Sequence, residues 1–83
     1  IEVAKYEPRI ALDGGVDGLD FYRDIVNNAP EYLRQGGMLA LEVGHDQARR
    51  VADLMKEKNR YVEIQITKDL AGIERVVTGR IKF

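Results

Sequence analysis

The feature that most constrains the fold is the run Met38-Leu39-Ala40-Leu41-Glu42-Val43, nearly unbroken in apolar character and bracketed by Gly36-Gly37 and Gly44. Six residues are too few for a helix of normal length, and a run without polar alternation suits a strand buried on both faces. Such strands belong to parallel sheets covered by helices, not to antiparallel sheets with one wet face. The rest of the chain should then supply helices. It does so twice.

Leu19, Tyr22, Ile25, Val26, Ala29 and Leu33 recur at three- and four-residue spacing, which predicts an amphipathic helix over 17–34. Asp17 is placed to cap it, Asp20 puts negative charge in its first turn, and Pro30 should bend or end it. A second helix is expected over 46–59, with Ala48, Val51, Ala52 and Met55 inward and Gln47 as a candidate cap. Tyr61 to Thr67 alternates, with Val62, Ile64 and Ile66 on one face, so 61–68 reads as a half-exposed strand. Lys68-Asp69-Leu70-Ala71-Gly72 reads as a turn, and 74–83 as an antiparallel return strand carrying Val77, Gly79, Ile81 and Phe83 on one side. Residues 1–16, with Pro8 and Gly14-Gly15, show no persistent period and read as an ordered loop. The strand over 37–44 therefore has no second parallel partner in this reading. We expect half a sheet to be missing, and copies of the chain to pair through the open edge of Met38 to Val43.

Charge and composition exclude several classes. The 83 residues, 45% hydrophobic and 33% charged, make one small globular unit. A net charge of -1 offers no broad attraction for nucleic acid or anionic membrane. No apolar run approaches a membrane span, and the start Ile1-Glu2-Val3 has no signal-peptide pattern. It also has no methionine, from which we expect an upstream part. With no cysteine there is no thiolate metal site, disulfide or cysteine nucleophile, in keeping with a reducing cytoplasm. His45 stands alone as a histidine, so no metal-ligand set is expected and His45 reads as a loop residue.

Four stretches carry a resemblance. These are Tyr6-Glu7-Pro8-Arg9-Ile10-Ala11-Leu12, then Asp13-Gly14-Gly15-Val16-Asp17-Gly18-Leu19 with Phe21-Tyr22-Arg23, then Leu41-Glu42-Val43-Gly44 before Gln47, and Lys68-Asp69-Leu70-Ala71-Gly72 before Arg75-Val76. In this order and spacing they resemble the HemK-type release-factor glutamine methyltransferases. The resemblance implies an α/β fold, the C-terminal part of a Rossmann-like sheet that ends in an antiparallel hairpin. It implies S-adenosylmethionine as the intact enzyme's cofactor and a peptide-chain release factor as its partner, methylated on the glutamine of a Gly-Gly-Gln loop. The family's cofactor-binding glycine loop and Asn-Pro-Pro-Tyr motif are not in this sequence. The segment alone is accordingly expected to bind no cofactor and to be inactive.

Three residues are candidates for contact with the protein substrate: Glu7 and Pro8, which would follow the catalytic motif, and Glu42, at the carboxyl edge where open α/β sheets place their sites. Each has a structural alternative, a fixed loop for the first two and a carboxylate satisfied by backbone donors for the third. The glycines of 14–18 resemble a phosphate loop only superficially, since they follow no expected strand and carry acidic neighbours; a turn and helix cap is the better reading. Arg49-Arg50 reads as a solvated helix face, and Asp69 and Arg75 as a pair across the turn. Two other functions compete: a standalone dimerisation module, and part of a related methyltransferase acting on nucleic acid.

Overall fold

The computed structural model describes the backbone of residues 3–6, and residues 18–44 and 46–82 in full. Among the described residues six elements follow in order: β1 (Val3–Tyr6), α1 (Asp20–Tyr32), β2 (Met38–Glu42), α2 (Ala48–Lys58), β3 (Tyr61–Lys68) and β4 (Glu74–Ile81). The strands form one sheet in the order β1-β2-β4-β3. β1 and β2 are parallel and joined through α1, while β4 runs antiparallel to both β2 and β3. A parallel pair needs such a crossover, whereas the β3–β4 pair needs only a tight turn.

β2 is central, and Leu39, Ala40 and Leu41 are buried in succession. α2 packs on β3 and β4, and α1 lies beside α2. Leu41, Val77, Ile81, Val51, Met55 and Val26 are the fully buried centre of the core between sheet and helices. On the sheet's opposite face Met38, Glu42, Val76, Thr78 and Arg80 are half-buried.

Three expectations are corrected. Val3–Tyr6 is a strand within the stretch read as a loop, and its register with β2 runs from Val3 opposite Met38 to Tyr6 opposite Leu41. β2 thus has its parallel partner inside the chain, and β4 on its other side. The open edge once assigned to Met38–Val43 does not exist, and with it goes the reason for copies to pair there. Second, α1 has Leu19 at its N-cap position with no side-chain cap; Asp17 lies outside the described residues. Asp20 does sit in the first turn, held by Arg23 at 2.8 Å.

The third correction concerns β3. Tyr61, not Val62, points into the core with Ile64 and Ile66, because the pairing register shifts between Val62 and Gln65. Glu63 adopts a left-handed φ of 54° at this bulge. An extra residue on one strand changes the phase of alternation by one, which is how an odd and an even position come to share a face. Arg80 donates to the Glu63 carboxylate at 2.9 Å and to the Gly36 carbonyl at 2.7 Å, pinning the bulge to the start of β2.

The β3–β4 turn is held by one side chain. Asp69 Oδ1 accepts from the Ala71 and Ile73 amides at 2.8 and 3.0 Å, and Oδ2 from Arg75 Nε at 3.1 Å, the pairing expected across this turn. The Ile73 amide, with help from Arg75 and the Ala71 amide, holds the Asp69 carboxyl below its ordinary 3.8. A carboxyl whose folded value is lowered contributes stability above its unfolded value and loses it as pH falls through the folded one. Thermal melting followed from pH 6 down to about pH 2 should therefore show a steeper acid loss for the wild type than for Asp69→Asn, the stability gap between the two closing as pH falls below the ordinary carboxylate range. Parallel curves would contradict this.

Candidate functional site

The site lies where the parallel strands end. In open α/β sheets the loops at this carboxyl edge form the crevice in which ligands bind. Glu42 is the last residue of β2 and is half-buried there, as its place in the sequence led us to expect. Glu7, Pro8 and His45 lie outside the described residues.

Beneath Glu42 a small polar cluster closes the edge. Tyr22, on the inner face of α1 and only 4% exposed, donates its hydroxyl to the Glu42 carbonyl at 3.1 Å. Burial raises the pKa of this phenol, so it stays a proton donor. Gln47, at the N-cap position of α2, makes no cap bond to its own helix. Its Oε1 instead accepts from the Gly44 amide at 3.1 Å, with the Tyr22 hydroxyl 3.5 Å away, and its Nε2 donates to the Gly18 carbonyl at 3.4 Å. Tyr22 has one proton and gives it at the shorter distance, to Glu42. The Gln47 amide therefore joins the strand end to the start of α1. Its role as a simple cap is corrected: the position was foreseen, the reach was not.

The glycines make room for this. A Cβ at Gly44 would lie 3.0 Å from Gln47 Oε1, and one at Gly18 3.4 Å from Nε2. Gly18 also needs its freedom for a φ of 75° at the bend leading into α1, while Gly14 and Gly15 lie outside the described residues.

The β3–β4 turn stands beside the same edge. Val76 pairs with Glu42, and the Val43 amide donates to the Arg75 carbonyl at 2.8 Å, so residues 69–74 project past the end of β2. Leu70 at the tip is fully exposed. At the base a shallow depression of about 380 Å³ is lined by Arg49, Lys68, Gly72, Ile73 and Glu74, with Arg49 and Glu74 3.8 Å apart. Among the described residues no group of three or more acidic or histidine side chains could hold a metal. Among them, too, no helix is long and apolar enough to cross a membrane. The edge as described offers hydrogen-bonding backbone, a carboxylate and a projecting turn.

No family model matches the sequence. It is 52% identical over 80 residues to the release factor glutamine methyltransferase of Geobacter sulfurreducens, covering 96% of this chain and 28% of that protein. It is 46% identical over 79 residues to the enzyme of the same name from a Synechocystis strain, covering 95% of this chain and 26% of the relative. The fold matches the crystal structure of the release factor-specific protein-(glutamine-N5) methyltransferase of Alicyclobacillus acidocaldarius with a TM-score of 0.69 and 34% identity, over 93% of this chain and 46% of that one. The chain thus spans roughly a quarter of the curated relatives' length.

The sheet, ending in an antiparallel hairpin, has the α/β fold of the C-terminal part of a Rossmann-like methyltransferase domain. Over nearly its whole length the chain is similar to one segment of the release factor glutamine methyltransferases.

Proposed function

We propose that the full-length protein carrying this chain methylates the Gly-Gly-Gln glutamine of a peptide-chain release factor in the cytoplasm, with S-adenosylmethionine as methyl donor. The similarity over nearly the whole chain to relatives of that name carries the reading. In this reaction the glutamine amide nitrogen takes the methyl group, the donor's sulfur–carbon bond breaks and the nitrogen gives up a proton. An amide nitrogen is a poor nucleophile, so the protein's task is to hold it in line and stabilise the charge that develops.

This segment supplies sheet and substrate surface, not the reacting groups. Its prolines, Pro8 and Pro30, are never adjacent, so the sequence contains no Asn-Pro-Pro-Tyr run. Glu7, Pro8 and Glu42 are the residues we assign to the release-factor surface, Glu42 on the strength of its place at the carboxyl edge. Self-association forms no part of this reading, because both edges of β2 are occupied within the chain.

Calorimetric titration of S-adenosylmethionine into the 83-residue chain and into the full-length protein tests the division of labour. Binding by the full-length protein alone is expected. Binding by the segment itself would move the cofactor site to the edge between Gly18 and Gly44.

A further inference from the structure

We infer that Gln47 is a positioning residue for the protein substrate: its amide fixes the carboxyl end of β2 against the start of α1, and so sets the shape of the surface that the release factor meets. The inference rests on the proposed function above.

The geometry favours positioning over simple capping. An N-cap side chain ordinarily turns back to the second or third amide of its own helix. Gln47 spends neither end of its amide there, and its partners are 3 and 29 positions away in sequence. The Gly44 amide lies just past the end of β2, and Gln47 Oε1 is its acceptor. Gly44 does not have the positive φ that would demand glycine, so what its missing side chain provides is space for the Gln47 head. Tyr22 ties the same strand end to α1 from below through the Glu42 carbonyl. The start of α1, the end of β2 and the start of α2 are thereby joined by hydrogen bonds at one edge. The lock lies at Glu42, which we assign to the substrate surface, and borders the core through Leu19, Tyr22, Val43 and Ala48.

The test uses the full-length protein, S-adenosylmethionine and a purified release factor. Gln47→Leu keeps the volume but gives up both the acceptor for Gly44 and the donor for Gly18. It should lower kcat/KM for the release factor roughly tenfold, the scale of one net hydrogen bond and its unsatisfied partner. The dissociation constant for S-adenosylmethionine should stay within about twofold, since no described atom of this cluster is assigned to the cofactor. Gln47→Glu retains the acceptor and should recover part of the loss. Tyr22→Phe should act on the same parameter, and its effect should not add fully to that of Gln47→Leu, because the two side chains share the strand end.

Equal losses in cofactor affinity and release-factor turnover would show a general collapse of the fold and overturn the inference. So would Gln47→Leu turnover equal to wild type. A wild-type protein that binds S-adenosylmethionine yet leaves the release factor unmodified would overturn the proposed function itself, and this inference with it.

Discussion

Leu41→Ala should cost about 2–5 kcal/mol of folding stability, the range for truncating a fully buried leucine that leaves a cavity. Leu41 is 0% exposed, lies opposite Val77 on β4 and Tyr6 on β1, and belongs to the central core cluster. At roughly 0.05–0.15 kcal/mol per residue a chain of 83 residues has only about 4–12 kcal/mol in hand, so this one change takes a large part of it. Urea denaturation of wild type and variant, with the midpoint falling and the slope unchanged, is the check. Val76→Ala, on the half-buried opposite face of β4, should cost clearly less. Equal costs would mean that β2 is not the centre of the core.

The second large effect comes from a hydroxyl. Pro30 sits inside α1 and has no N–H, so the carbonyl of Val26, four residues back, loses its helical donor. Tyr61 supplies the replacement, its hydroxyl donating to the Val26 carbonyl at 2.6 Å in the buried core. Burial pushes the Tyr61 pKa up to about 12, Arg60 pulling slightly the other way, so the proton is present at any ordinary pH. Tyr61→Phe removes only that oxygen and should cost about 1–3 kcal/mol, since a buried carbonyl is left without a partner. The prediction that separates this account from mere packing is a double-mutant cycle. In a Pro30→Ala background the new amide can serve Val26, and the cost of Tyr61→Phe should shrink. Strict additivity would show that the two residues do not share that carbonyl.

Much of this arrangement was legible beforehand, for local reasons. The buried centre of β2 follows from three adjacent apolar residues, and both helices follow from their spacing, because burial on one face leaves a period in the sequence. What escaped was set by distant partners. β1 is four residues, Val3 to Tyr6, one of them a lysine, and becomes a strand only by pairing with residues 35 positions later. The bulge at Glu63 carries no glycine to announce it; it is fixed by Arg80 from the neighbouring strand. At the site, Glu42 could be placed because a strand end is a local event. The reach of Gln47 to Gly18, and of Tyr22 to Glu42, could not, because both join elements 20 or more residues apart in the chain. The nearest signal was glycine itself: Gly18 and Gly44 leave the space that a neighbour's side chain fills.

The central claim is that this chain is a segment of an enzyme that methylates release factors. The most direct test is to incubate the full-length protein with S-adenosylmethionine and a purified release factor, and to locate any added methyl group by tandem mass spectrometry. The account predicts one methyl group on the side-chain nitrogen of the Gly-Gly-Gln glutamine, and none when the 83-residue chain replaces the full-length protein. A full-length protein that leaves this glutamine unmodified, or that methylates nucleic acid instead, would contradict it.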